Sequence, residues 1–207
     1  MWVKVAAGAS VVALSLALVF YVARLPSLTI SKVEVSGAGF VNPNDVQSLA
    51  EAKLSGSYAF FVPHANTFVA PVAAIKNSIM ASFPPVGSVS ISKKGTMLLV
   101  ALTERQTAAL WCGAALPENG KAEDCYLMDG GGFIFAKADS DSGFVRYYGV
   151  ASTTPIGATY LGGSFAALDA TVRGISASIK RTPETVATDA ATNDTSLAFV
   201  EGGILRF

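Results

Sequence analysis

The chain has 207 residues, 51% of them hydrophobic, and its 15 Lys+Arg balance its 15 Asp+Glu. A neutral chain of this length can bury one large core or two small ones, and it lacks the basic surface that nucleic acid demands. With two cysteines and one histidine it cannot assemble the usual four-ligand zinc site from soft ligands.

In chain order, the first predicted element is an apolar helix. Residues 5–23 carry no charge and are bracketed by Lys4 and Arg24. As a helix the run is about 28 Å long, close to the ~30 Å hydrocarbon core of a bilayer. It is too long for a signal-peptide apolar region, and bulky residues surround Ala23 where a cleavage site needs small ones. The expectation is a cytoplasmic tail at 1–4, a transmembrane helix at 5–23 that meets the lipid bilayer, and an exported remainder. Basic residues flank both ends, so charge counting does not fix the orientation. A four-residue tail makes a single pass with an exported bulk the simpler topology.

A strand is predicted at 29–35, where Ile30, Val33 and Val35 carry the apolar positions. Asn42, Pro43 and Asp45 form a helix start: a cap, a proline suited to the first turn, and a carboxylate at the positive end of the dipole. Val46, Leu49, Ala50 and Leu54 mark that helix's buried face. After an apolar loop at 58–63, a second helix is predicted at 67–83, with Pro71 in its first turn and a stripe of Val72, Ile75, Ile79 and Phe83. Serine alternates with branched residues at 88–92, as in a strand with one wet face. A turn at 94–96 leads to 97–103, which is apolar on both faces, as in a central strand.

From about Glu104 the pattern changes to short strands and turns. Strands are predicted at 110–111, 126–129, 133–135 and 144–148, and a helix at 164–181. That helix has an apolar face of Phe165, Leu168, Val172, Ile175 and Ile179. Closing strands are predicted near Val186, at 197–200 and at 204–207, the last two joined at Gly202 and Gly203. Cys112 and Cys125 stand thirteen apart around a loop-like segment. In an exported domain such a pair forms a bridge, contributing about 3 kcal/mol by loop closure.

Three stretches in this order resemble the FtsQ/DivIB family of bacterial cell-division proteins. The first is I-S-K-V-E-V-S-G at 30–37, just after the apolar run. The second runs from F-P-P-V at 83–86, through V-S-I-S-K at 89–93, to Glu104 and Arg105, with Ala108 and Trp111 behind. The third is Y-L-M-D-G-G-G-F-I-F at 126–135. Thr107 stands where the family carries proline. The resemblance implies an α+β fold: a POTRA-like β-α-α-β-β domain at 28–104, then a β domain with one long helix at 105–207. The family's last helix and edge strand have no counterpart before Phe207.

The resemblance also implies a non-catalytic scaffold at the division septum of the bacterial inner membrane, binding FtsB- and FtsL-like partners through extracytoplasmic domains. No cofactor and no small-molecule substrate are implied. In the family a terminal strand edge takes the partner's strand. Leu197, Phe199, Ile204 and Phe207 are the nearest candidate partner-binding residues here, because an open strand pair invites another chain. One alternative is a POTRA component of a secretion or outer-membrane assembly machine, which needs a barrel of at least eight strands. A remoter one is a membrane-anchored peptidoglycan hydrolase or peptidase.

Several catalytic look-alikes are weak. Ser90 and Lys93 match S-x-x-K, but that motif must open a helix and here sits in an alternating strand. His64 lies in a loop without an acidic sequence neighbour, Asp139 and Asp141 lack metal spacing, and Asn193 to Thr195 is a chance-prone glycosylation sequon.

Overall fold

The computed structural model describes residues 2–59, 61–117, 124–139, 143–151, 154–189 and 194–207; within the first helix it describes the side chains of Gly8 and of residues 10–23. Asp141 and Asn193 therefore lie outside the described residues. The chain divides into two compact units, 1–104 and 105–207. Together they hold four α-helices and three β-sheets among the described residues, a mixed α/β architecture.

The first helix, α1 (Trp2–Ala23), corrects the sequence expectation. Among the described residues no helix is long and apolar enough to cross a membrane, so the transmembrane helix expected at 5–23 is not found. The lower end of α1 is also tied into its unit. Ala23 is buried and its carbonyl accepts a 2.9 Å bond from Asn66 Nδ2. Residues 2–4, expected as a tail, belong to the first turn of α1.

The first unit continues with a 3-10 turn (Pro26–Leu28), β1 (Lys32–Ser36) and α2 (Pro43–Leu54). The Asn42 side chain caps α2 by accepting from the Asn44 N–H at 3.0 Å. Val46, Ala50 and Leu54 are buried. A two-stranded hairpin, β2 (Ser57–Tyr58) with β3 (Val62–Pro63), precedes α3 (Val72–Ser82). α3 starts later than the predicted residue 67, because the residue before a proline is pushed out of helical geometry and Ala70 precedes Pro71. Residues 67–70 instead wrap around Asn66, whose carbonyl and side-chain oxygens accept from the N–H groups of Val69, Ala70 and Phe68.

A long hairpin, β4 (Val86–Lys94) and β5 (Met97–Glu104), completes this unit, turning at Gly95 with φ +59°. β5 is central, parallel to β1 and antiparallel to β4. Ile30, Val33, Val46, Ile75, Ile79, Val89, Leu98 and Val100 share its core. The second face of β5 is only partly covered: Ala101 and Thr103 are exposed.

The second unit is built on a seven-stranded sheet. Its strands are β6 (Ala109–Trp111), β7 (Tyr126–Met128), β8 (Ile134–Lys137), β9 (Arg146–Tyr148), β10 (Pro183–Thr188), β11 (Thr195–Phe199) and β12 (Ile204–Arg206). The spatial order is β12-β11-β10-β9-β6-β7-β8, with parallel pairing on both sides of β9. One face carries a stripe running across the strands in register: Leu205, Leu197, Val186, Tyr147 and Trp111. α4 (Phe165–Ile179) contributes Phe165 and Val172 to the same core. α4 ends before the predicted residue 181, because Lys180 takes a left-handed conformation, φ 56°, that closes the last turn.

Candidate functional site

β12 forms one edge of the seven-stranded sheet. Its pairing with β11 is antiparallel, with Leu197 opposite Leu205 and Ala198 opposite Ile204. Thr195 and Phe207 exchange both backbone hydrogen bonds, at 2.9 and 3.0 Å, and the Phe199 N–H donates to the Gly203 carbonyl at 3.3 Å. In an antiparallel ladder the bonding residues alternate. Residues 203, 205 and 207 therefore spend their backbone groups on β11, and the N–H and C=O of Ile204 and Arg206 point away from it. Two donors and two acceptors stand in a row along the edge, which is the pattern an added strand requires.

The side chains sort by the same alternation. Leu205 turns to the core, whereas Ile204 is 70% exposed and Arg206 is exposed with it on the opposite face. On that face a groove of about 620 Å³ runs inward from Arg206. Its floor is Ser196 and Ala187, and Leu116 and Val150 are exposed apolar residues in its wall. A strand laid on β12 would send every second side chain toward this face.

The four residues named from sequence thus separate. Ile204 and Phe207 are accessible, while Leu197 and Phe199 are buried core residues and offer no surface. Arg206 was missed, although the signal was present. A hairpin turning at Gly202 and Gly203 fixes which alternate residues face outward once one bonded pair is known.

Beside β6 and β7 of the same sheet Cys112 and Cys125 are bonded, with sulfurs 2.03 Å apart. Trp111 pairs with Tyr126 in the β6–β7 ladder, so the cysteines follow directly as the next facing pair. The other sequence-named residues do not converge on a reactive centre. His64 Nδ1 lies 2.7 Å from the Ser55 carbonyl and its ring stacks edge-on against Tyr58. Ser90 and Lys93 lie within β4, and Lys93 Nζ donates to the Thr67 carbonyl at 2.5 Å. Among the described residues no three His, Cys, Asp or Glu side chains are grouped to hold a metal ion.

The residues that carry the family resemblance have local structural tasks. Glu104 accepts from the N–H groups of Gly39, Phe40 and Val41 at 2.8–3.0 Å, which fixes the loop between β1 and α2. Burial pushes its carboxyl up, but these three donors outweigh that and hold it below its ordinary value. Arg105 pairs with Asp129 at 2.6 Å and lies over the Phe133 ring at 4.1 Å. The other oxygen of Asp129 accepts from the N–H groups of Gly131 and Phe133, shaping the glycine turn.

A comparison with protein-family models and with curated proteins finds no match to this chain.

In the second unit, Tyr147 Oη donates to Asp169 at 2.8 Å, and Arg173 Nε holds the other carboxylate oxygen at 2.6 Å. Burial first, and the Asp169 bond second, drive the Tyr147 phenol far above its ordinary value. It stays neutral and serves to clamp α4 onto the sheet.

Proposed function

We propose that the chain is a non-catalytic scaffold of the FtsQ/DivIB kind, working outside the cytoplasm in the bacterial division complex. It takes up a strand of an FtsB- or FtsL-like partner on β12. The observation that carries this reading is the edge itself, where the backbone groups of Ile204 and Arg206 point away from β11. The bonded pair Cys112 and Cys125 supports an oxidising compartment, because cytosolic thiols are kept reduced. Apart from the short β2–β3 hairpin between its helices, the first unit runs strand-helix-helix-strand-strand with β5 between β1 and β4, which supports a POTRA-like module. The motif residues Glu104, Arg105 and Asp129 fix loops and turns, which suits a protein whose motifs are architectural.

The test is Arg206→Pro. Proline deletes the outward N–H of β12 and leaves the Leu205 and Phe207 bonds to β11 in place. Titration of the full chain with FtsB- and FtsL-like segments should show tight binding that weakens at least tenfold in the variant, with an unchanged thermal midpoint. Equal binding by both proteins refutes strand addition at β12. No binding of any such segment by the unaltered chain refutes the division-scaffold reading.

A further inference from the structure

The first unit exposes large aromatic side chains in one place. Phe61 is 58% exposed and Phe68 is 76% exposed, and Tyr58, Val69, Phe20 and Tyr21 are exposed with them. These residues come from three segments held together by specific bonds. The Phe61 and Phe20 rings meet edge to face at 6.3 Å. Asn66 ties the 66–69 segment to the end of α1 through the Ala23 carbonyl. Tyr58 Oη donates to the Val69 carbonyl at 3.3 Å. The result is a set of exposed apolar side chains whose segments are tied to one another by these contacts rather than scattered singly.

Two cations lie against this surface. The Arg24 guanidinium lies 4.0 Å above the Phe20 ring, and the Lys93 ammonium reaches the Thr67 carbonyl beside Phe68. No Asp or Glu occurs before Glu34, and none occurs between Glu51 and Glu104. Residues 1–104 hold seven Lys+Arg against four Asp+Glu, a net +3, so 105–207 hold eight against eleven, a net −3. The overall neutrality of the chain conceals a basic unit whose aromatic face has cations beside it and no carboxylate in its own sequence segments.

We infer that this aromatic face rests on an anionic lipid surface. Apolar Phe rings with the Tyr58 hydroxyl and Arg24 and Lys93 beside them match the boundary of a bilayer, where rings enter the acyl region and cations meet phosphates. A protein groove would be expected to pair some of this surface with carboxylates of its own, whereas a lipid surface supplies the negative charge uniformly. The contact requires no helix to cross the bilayer. It uses no residue of 105–207, so it stands or falls apart from strand addition at β12.

The test uses the full chain with phosphatidylcholine vesicles, with and without phosphatidylglycerol, read by sedimentation and by amide exchange. Anionic vesicles should slow exchange at residues 58–69, and partition should fall when phosphatidylglycerol is omitted. Phe61→Ser with Phe68→Ser should lower the partition coefficient by roughly tenfold or more, with exchange in β4 and β5 unchanged. If that variant does not fold, the exchange footprint on the unaltered chain decides. Three results overturn the inference: vesicle binding with unchanged exchange at 58–69, equal partition onto neutral and anionic vesicles, or protection of 58–69 that grows with protein concentration without lipid. The last identifies a second copy of the chain as the occupant.

Discussion

Glu104 and Arg105 are neighbours in sequence and serve different loops. Glu104 collects three backbone N–H donors from Gly39, Phe40 and Val41, and its carboxyl is held below its ordinary value of 4.5. A lowered folded-state pKa contributes stability above the unfolded value, and that stability is lost as pH falls through the folded value. Glu104→Gln should therefore lower stability at neutral pH by about 1 kcal/mol, a charge-assisted figure reduced for solvent screening. The gap between variant and parent, measured as thermal midpoints, should close in acid. A gap of constant size across the carboxylate range contradicts the assignment. Gly132 is the second decisive residue. Its φ is +83°, and a Cβ there would fall 2.7 Å from the Tyr160 carbonyl oxygen and 2.8 Å from Phe165 Cβ. Both neighbours are fixed by the core, so Gly132→Ala should cost about 2–3 kcal/mol in urea unfolding. A loss below half of that in the urea titration would mean the turn after Asp129 relaxes.

At the scale of elements, sequence was most informative where one local cause acts alone. Asn42 and Pro43 start α2 as their chemistry requires. Pro71 misled because its effect on the preceding residue outweighs the apolar stripe around it, which moved the start of α3 to Val72. β5 was legible as central from its composition, yet Ala101 and Thr103 show that a central strand need not be covered on both faces. The candidate edge was half legible. Hydrophobicity located the strand pair, but the split between buried Leu197 and Phe199 and exposed Ile204 depends on which face α4 covers, a long-range fact. α4 itself carries a buried hydroxyl, Ser176 Oγ, with no hydrogen-bond partner. An unsatisfied buried donor is destabilising, so Ser176→Ala should raise stability by about 0.5–1 kcal/mol. A fall in the calorimetric midpoint would show that the hydroxyl is bonded after all.

For the whole molecule, length allowed one large core or two small ones, and the structure separates 1–104 from 105–207. The assignment of α1 as a bilayer span failed at this scale. Hydropathy registers an uncharged run, but among the described residues no helix is long and apolar enough to cross a membrane. Two independent cores should give two thermal transitions, and only the unit 105–207 contains the bonded cysteines. Reductant should lower that unit's transition alone, by about ten to thirty degrees given ~2–4 kcal/mol for a loop of this size. A common shift of both transitions would mean the units unfold together. The bond between Cys112 and Cys125 also closes a covalent ring around residues 113–124. A peptide bond cleaved by a protease anywhere inside that ring leaves the molecule joined, with β6 and β7 still side by side, and the wound becomes visible on a gel only after the thiols are released.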